Sequence, residues 1–272
     1  MKKFTRPIAR AVRNVFRTIR DLLSSKVRFV RINPFAKGKI IFFNKKNAKF
    51  FSMLSRGECD SAVLDTIFPK YVYRLDGMLR SNDIYAHYNT IISSGKCPLI
   101  IDCGANIGAS SFFFAEEFPD AQVVGVELES NNAKLAKKNN ESKDKVNILH
   151  AAIGSERGLV KIDNPEEVSK DSFRVNVNAK PGKDSIEMIT ISDIEKLYPE
   201  TILFIVKIDI EGFEDDLFSR NTDWMKEVYL ITMEIHDWML PRKAASKNFF
   251  RKHSHESRDC YLRGDMVFSI KN

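Results

Sequence analysis

Two glycines and an acidic residue are the first combination in this sequence that could bind a ligand. A short apolar run ends at Asp102 and leads into a turn that contains Gly104 and Gly108. A second apolar run ends in Glu127, roughly 20 residues further on, as in the βαβ units that bind nucleosides. We therefore predict a nucleoside-binding site, built from a strand, a glycine turn, a helix and a second strand that ends in a carboxylate.

The spacing of the glycines indicates which nucleoside this site binds. A dinucleotide site requires G-x-G-x-x-G, because its second glycine lets the backbone approach a pyrophosphate. Asn106 occupies that second position and Ala109 the third, so a pyrophosphate fits poorly. The N–H and C=O groups of the turn suit an amino-acid tail instead, and the Glu127 carboxylate can accept hydrogen bonds from both ribose hydroxyls. We therefore predict S-adenosylmethionine as the cofactor rather than a nicotinamide dinucleotide.

Small residues after the next predicted strand complete this cofactor site. Ala152 belongs to the run Ala-Ala-Ile-Gly at residues 151–154, and its short side chain leaves room for a flat adenine ring. The predicted cofactor-binding residues are Asp102, Gly104, Ala105, Asn106, Gly108, Glu127 and Ala152.

Charged residues stand at the carboxyl ends of two further apolar strands. Lys207 and Asp209 are two residues apart and therefore share one face of their strand. Glu234 and His236 repeat this arrangement at the end of the next strand. Because the carboxyl ends of neighbouring parallel strands meet at the ligand crevice, we expect these four side chains to form the catalytic site.

Within this group, His236 is the predicted general base, since a base with a pKa near neutral is the most effective. Asp209 either orients His236 or contacts the amino group of the cofactor. A divalent cation bound by Glu234 and Asp209, which would lower the pKa of the acceptor, is the less favoured alternative. No metal ligand is therefore predicted.

The elements that position these residues follow from the pattern of apolar residues. Continuous apolar runs suit parallel strands that are covered on both faces. The predicted strands are residues 39–43, 98–102, 123–127, 146–150, 202–209 and 228–236, with short strands and a variable loop over 156–190 and a hairpin over 260–270 that turns at Gly264-Asp265. The predicted helices are residues 60–68, 81–92, 130–139 and 241–252, one that begins at Ala109, and a short one with a capping box at Ser192 and Glu195.

The composition limits the class of protein. With 272 residues, of which 43% are hydrophobic, the chain can build one large α/β domain with small additions. The four cysteines are scattered without a C-x-x-C pair, which argues against a zinc site or a disulfide framework and fits a reducing compartment. The sequence has no run of about 18 apolar residues, so no membrane-spanning helix is expected.

The first 31 residues are strongly basic. They contain ten of the 43 lysines and arginines and a single acidic residue, whereas the rest of the chain is close to neutral. Over residues 4–23, apolar residues and arginines each recur at steps of three and four, which predicts an amphipathic helix with an arginine face. Three interpretations remain open: binding to an anionic membrane surface, a mitochondrial targeting segment, and packing on the body of the protein or on a partner.

These interpretations set the expected location and partners. We expect a cytoplasmic protein, peripheral on the inner face of the membrane, with a mitochondrial location as the alternative. Nucleic acid is not expected as a partner, because the basic stripe lacks interleaved exposed aromatic residues.

Three segments of the sequence resemble one enzyme family. They are Ile-Asp-Cys-Gly-Ala-Asn-Ile-Gly at 101–108, Val-Lys-Ile-Asp-Ile-Glu-Gly-Phe-Glu at 206–214 and Met-Glu-Ile-His at 233–236. All three are similar to the FkbM-type S-adenosylmethionine-dependent methyltransferases, as is the lead-in Thr-Ile-Ser-Asp-Ile at 190–194. The resemblance covers roughly residues 60–270 and leaves the basic helix outside.

The resemblance implies a fold and an activity. The implied fold is the α/β, Rossmann-like class I methyltransferase fold: a seven-stranded, mostly parallel sheet with helices on both faces and an antiparallel last strand. The implied enzyme is an O-methyltransferase that methylates a hydroxyl of a saccharide, a glycolipid or a natural product. Leu128 stands where the family usually has proline, and Cys103 where it usually has valine. Neither difference removes a ligand group.

The predicted organisation has three parts: a basic amphipathic helix at 1–31, an extension that covers the cleft at 32–95, and a methyltransferase domain at 96–272. Two other functions stay open. One is a catalytically inactive, cofactor-binding protein that associates with membranes. The other is a nicotinamide-dependent enzyme, which Asn106 disfavours.

Overall fold

The computed structural model describes residues 14–163, 174–177, 182 and 184–272. The chain divides into two compact units, Met1–Arg74 and Leu75–Asn272. The three-part organisation inferred from the sequence stays a prediction. Residues 4–13 of the predicted amphipathic helix lie outside the described residues, whereas residues 14–23 are helical.

The first unit is a small antiparallel sheet with two helices. Its elements are α1 (14–23), β1 (Phe29–Arg31), β2 (Lys39–Asn44), β3 (Lys49–Leu54) and α2 (Glu58–Ile67). The strand order is β1-β2-β3, and aromatic rings join the sheet to the end of α2. The ring centroid of Phe68 lies 4.9 Å from that of Phe42 and 5.3 Å from that of Phe29. These contacts form the core of the unit.

The sequence anticipates α1, β2 and α2 of this unit but neither β1 nor β3. β1 has three residues, too few to show a periodic pattern. In β3, Phe50 and Leu54 lie on the exposed face and Met53 on the buried face, so apolar residues occupy both faces and the sequence shows no alternation of apolar and polar residues.

The second unit carries most of the helices and strands. Its helices are α3 (Ser81–Ser93), α4 (Ala109–Glu117), α5 (Ser130–Asn139), α6 (Ile191–Leu197), α7 (Glu214–Leu217), α8 (Trp224–Glu227) and α9 (Lys247–His253). Its strands are β4 (Cys97–Cys103), β5 (Gln122–Glu127), β6 (Val146–His150), β7 (Ala152–Ile153), β8 (Gly158–Asp163), β9 (Arg174–Val177), β10 (Ile186–Ile189), β11 (Thr201–Ile208), β12 (Leu230–Glu234), β13 (Arg258–Arg263) and β14 (Met266–Lys271).

One seven-stranded sheet organises this unit. Its order is β13-β14-β12-β11-β4-β5-β6, and a smaller sheet has the order β7-β10-β8-β9. The strands β12, β11, β4, β5 and β6 pair in parallel. The last strand, β14, is antiparallel to both of its neighbours. This arrangement confirms the predicted fold class.

Helices cover both faces of the large sheet, because alternate residues of a strand point to opposite sides. On one face, Ile101 of β4 belongs to a core cluster with Ile194 of α6 and Phe249 of α9. On the other face, the next residue along β4, Asp102, accepts a hydrogen bond from Ser110 of α4. No helix in the described part of the chain is long and apolar enough to cross a membrane.

Two predicted boundaries are wrong. The capping box of α6 is formed by Thr190 and Asp193 rather than by Ser192 and Glu195, and each of the two observed partners accepts a backbone N–H of the other at 3.1 Å. The helix predicted over 241–252 begins only at α9, because left-handed backbone at Arg242 and Ala244 interrupts it.

The strand predicted over residues 228–236 is also shorter than expected. β12 ends at Glu234, so His236 follows the strand rather than belonging to it. Its side chain is nevertheless buried at the same end of the sheet as the carboxyl ends of β4 and β11.

Candidate active site

The glycine turn after β4 is fixed by its contact with the end of β11. Gly104 has left-handed backbone, with a φ of 78°, and a Cβ atom there would lie 1.8 Å from the carbonyl oxygen of Asp209. The N–H of Asp209 donates to the Cys103 carbonyl at 3.1 Å, and the N–H of Gly104 donates to the Val126 carbonyl at 3.0 Å. Only glycine fits at position 104, since any side chain would push the two chain segments apart.

A buried ion pair supports this turn. Lys207 and Asp102 are register partners in the parallel pair β11–β4, and the Lys207 Nζ lies 3.0 Å from Asp102 Oδ1. The Lys207 ammonium also donates to the Gly104 carbonyl at 2.7 Å. Ser110 and Ser111 donate to Asp102 Oδ2, each at 2.6 Å. Lys207, predicted as a catalytic residue, therefore holds the turn from within the sheet.

An open cleft lies above the turn. It encloses about 710 Å³, a volume that includes the solvent at its open mouth. Its lining includes Gly104, Asn106 and Glu127 as well as the apolar side chains of Ala152 and Ile153. The cleft thus offers a ligand both polar groups and an apolar surface.

The predicted cofactor-binding residues divide into two groups. Those that line the cleft are Gly104, Asn106, Glu127 and Ala152. Those that are buried around the turn without lining the cleft are Asp102, Ala105 and Gly108. That the residues of the second group bind the cofactor directly stays a prediction.

Glu127 links the glycine turn to the end of β5. Its Oε2 accepts the N–H of Asn106 at 2.7 Å, and its Oε1 accepts the N–H of Glu129 at 2.8 Å. Burial raises the pKa of Glu127, and these two hydrogen bonds oppose that shift because they favour the ionised form. Oε1 also accepts the side-chain amide of Asn132 at 3.4 Å, whereas Oε2 keeps a second acceptor position that a ligand hydroxyl can use.

An imidazole surrounded by carboxylates lies at the ends of β11 and β12. The Nδ1 of His236 lies 2.7 Å from Glu214 Oε1, and both side chains are buried. The Nε2 of His236 lies 3.5 Å from Asp209 Oδ1, 3.8 Å from Glu211 Oε2 and 3.9 Å from Glu234 Oε1. We call Asp209, Glu211, Glu234 and His236 the acidic cluster. Asp209 and Glu211 also line the cleft.

Crowding of like charges changes the protonation of the acidic cluster. Burial and the charge of Asp209 raise the pKa of both Glu211 and Glu234 to about 7. Burial lowers the pKa of His236, but the hydrogen bond to Glu214 and the surrounding negative charges outweigh it and raise this pKa to about 9. Glu211 and Glu234 therefore gain or lose a proton near neutral pH.

The sequence-based prediction brings Asp209, Glu234 and His236 together correctly but omits Glu211 and Glu214. The signal for both was available, because Asp209 is followed by acidic residues two and five positions later. Glu211 has left-handed backbone, with a φ of 54°. Strand periodicity therefore could not predict the direction of its side chain.

Comparison with known proteins adds a family assignment. The family model described as the methyltransferase FkbM domain matches residues 102–260, which is more than half of the chain. This range contains both sides of the cleft and all of the acidic cluster. No curated protein matches the sequence.

Solved structures show weaker similarity. A provisionally assigned caffeoyl-CoA O-methyltransferase from Staphylococcus aureus is 12% identical with a TM-score of 0.40, and the match covers 70% of this chain and 83% of that protein. The N-terminal domain of human METTL16 in complex with S-adenosylhomocysteine is 12% identical with a TM-score of 0.38, over 71% of this chain and 68% of that one.

We predict that Lys207→Met lowers the free energy of unfolding by about 3–5 kcal/mol, because it leaves the buried Asp102 carboxylate without its cation. Urea denaturation followed by circular dichroism measures the change. The double variant Lys207→Met/Asp102→Asn recovers part of the loss. The control Lys226→Met breaks the exposed pair with Asp223 and changes stability by less than about 1 kcal/mol. Equal effects of the two lysine substitutions would contradict a supporting role for Lys207.

Proposed function

This chain belongs to the FkbM methyltransferase family, and we propose that it transfers a methyl group from S-adenosylmethionine to a hydroxyl oxygen. The resemblance found in the sequence is thereby confirmed at the level of the family. The observation that carries the proposal is the position of the acidic cluster: Asp209 and Glu211 line the same cleft as Gly104 and Glu127. A nucleoside-binding surface and a group of proton acceptors therefore share one cleft.

The cleft fits S-adenosylmethionine in three respects. The approach of Gly104 to Asp209 leaves backbone groups, rather than a side chain, at the floor of the cleft, which suits the amino-acid portion. Glu127 Oε2, which accepts one backbone N–H, has a further acceptor position for a ribose hydroxyl. Ala152 and Ile153 offer an apolar surface to the adenine ring. When bound, this cofactor supplies an activated methyl group on a positively charged sulfur, and S-adenosylhomocysteine is left after transfer.

The chain's own task is to remove the proton of the acceptor hydroxyl. Glu211 and Glu234, each with a pKa of about 7, can accept a proton near neutral pH. His236 as the general base stays a prediction, since an imidazole with a pKa of about 9 is still protonated at pH 7. Lys207 acts as a positioning residue through its hydrogen bond to the Gly104 carbonyl.

The acceptor class rests on the family resemblance alone. We propose a hydroxyl of a saccharide, a glycolipid or a natural product. The alternative, an inactive protein that binds the cofactor, is distinguished by binding without turnover.

We expect Gly104→Ala to weaken binding of S-adenosylhomocysteine by at least tenfold, because the new Cβ would displace Asp209 from the cleft. Isothermal titration calorimetry measures the affinity. Gly95→Ala is the matched control: Gly95 has nearly the same φ, 79°, but a Cβ there meets no atom within 4 Å. Its backbone strain costs about 1–2 kcal/mol of stability and leaves binding unchanged. Equal binding by both variants, or tight binding of NAD by the wild type, would refute the proposed cofactor site.

For catalysis, we expect Glu234→Gln to slow methyl transfer about 10²–10⁴-fold, with little effect on the affinity for S-adenosylhomocysteine. The assay follows tritiated methyl from S-adenosylmethionine into glycan, lipid and small-molecule extracts. Asp265→Asn removes a charge from the exposed turn between β13 and β14 and serves as the control. If the wild type binds the cofactor but labels nothing in these extracts, the inactive alternative is correct.

A second proposal concerns the basic amino-terminal helix. Within α1, Arg17 lies 3.5 Å from Asp65 and Thr18 donates to the Arg31 carbonyl, whereas the side chain of Arg20 is 73% exposed. The apolar side chains of α1 are exposed, Phe16 by 68% and Leu23 by 83%. An exposed apolar helix face in a segment with ten lysines and arginines suits an anionic membrane surface. We propose that the protein is peripheral on such a membrane.

Co-sedimentation with vesicles that contain anionic lipid tests this proposal. We expect Phe16→Glu/Leu23→Glu to reduce binding at least tenfold, because two large apolar side chains no longer enter the lipid. The control Leu79→Glu places one glutamate at a fully exposed leucine of the second unit and leaves binding unchanged. Wild-type protein that stays in the supernatant would rule out the membrane interaction.

A further inference from the structure

We propose that Asp209, Glu234 and His236 form a binding site for one divalent cation, to which the oxygen of the acceptor hydroxyl also binds. The inference rests on the proposed function, because it assigns the acceptor to one end of the same cleft. It extends that function by naming the group that positions and activates the acceptor.

The first argument is the geometry of the three side chains. One ligand atom from each lies within 4.8 Å of the other two. The His236 Nε2 is 3.5 Å from Asp209 Oδ1 and 3.9 Å from Glu234 Oε1. Ligand atoms placed about 2.1 Å from an octahedral cation stand roughly 3.0–4.2 Å apart. Side-chain shifts of a few tenths of an ångström therefore bring all three atoms into a coordination sphere.

The second argument is the state of the imidazole. The His236 side chain is only 2% exposed, and within the described part of the chain its Nε2 makes no hydrogen bond although it faces the carboxylates. Its Nδ1 is held by Glu214, and Glu214 Oε1 is itself fixed by the N–H of Gly212 at 3.2 Å. A carboxylate on the outer nitrogen of a histidine is the usual arrangement behind a metal ligand.

The third argument concerns charge. Lys207 is the nearest lysine, but its ammonium is shared with Asp102 and the Gly104 carbonyl and reaches only Oδ2 of Asp209, at 3.5 Å. Oδ1 of Asp209 is the atom that faces His236. Three carboxylates face the single positive charge of a protonated His236, and a divalent cation that displaces the His236 proton brings one more positive charge to the cluster. Asp209 thus directs one oxygen to the supporting lysine and the other to the cation.

The ligand set also suits the reaction. Two carboxylates and one imidazole leave coordination positions open, and a bound cation lowers the pKa of a hydroxyl that binds to it. The hydroxyl proton passes to Glu211, whose Oε2 lies 3.8 Å from the His236 Nε2. The O–H bond breaks, the oxygen forms the new bond to the methyl carbon as the S–C bond of the cofactor breaks, and Glu211 returns the proton to solvent.

Manganese binding tests the site without any need for the acceptor. The full-length protein is freed of metal with a chelator and titrated with Mn²⁺, and electron paramagnetic resonance measures free Mn²⁺. We expect one bound ion per chain, at least tenfold weaker binding by Glu234→Gln and His236→Gln, and a loss of 10–100-fold for Glu214→Gln, which removes the orienting carboxylate. The control Asp265→Asn, which removes a charge near Glu234 but no ligand, binds Mn²⁺ like the wild type.

Binding of S-adenosylhomocysteine by each variant verifies the fold and separates the two proposals. If the wild type binds S-adenosylhomocysteine but no Mn²⁺ at millimolar concentration, the cation site is refuted and the methyltransferase proposal stands. Equal Mn²⁺ affinity in Glu234→Gln, His236→Gln and the wild type likewise refutes the site. Failure of the folded wild type to bind S-adenosylhomocysteine refutes the proposed function instead.

Discussion

The buried pair between Lys207 and Asp102 is the interaction on which the rest of the site depends. Two charges removed from water are costly unless each is paired and hydrogen-bonded, and here both conditions are met: Asp102 accepts from two serines, and Lys207 donates to the Gly104 carbonyl. The parallel register of β11 and β4 places the two residues opposite each other. The sheet thereby fixes the glycine turn against the end of β11.

The glycine turn separates two regions of different charge. Below the turn, one lysine and one carboxylate neutralise each other and are closed to solvent. Above it, the acidic cluster holds three carboxylates around a single imidazole and is partly open to the cleft. Asp209 connects them, since its Oδ2 faces Lys207 and its Oδ1 faces His236. The buried Lys207–Asp102 pair fixes the geometry of the turn. The acidic cluster provides carboxyl groups whose pKa values are near neutral.

The sequence predicts the large sheet well, because its strands are buried on both faces and appear as continuous apolar runs. The strand β6 and the helix α5 are predicted with their observed bounds. It predicts which strand ends bring Asp209, Glu234 and His236 together, but not the direction of every side chain. The two-residue periodicity that pairs Lys207 with Asp209 cannot show that the Lys207 ammonium turns inward to Asp102. Glu211 and Glu214 lie beyond the end of β11, where backbone direction changes and periodicity no longer applies.

The residue that disfavours a dinucleotide also ties the cofactor site together. Asn106 has left-handed backbone, with a φ of 49°, a conformation that asparagine tolerates better than most residues. In that conformation its N–H points to Glu127 and donates at 2.7 Å, so the turn after β4 and the acid at the end of β5 are held as one unit. A glycine there would open space for a pyrophosphate and would leave this N–H less constrained. The asparagine that replaces the second glycine of a dinucleotide motif therefore also orients the Glu127 carboxylate at the cleft.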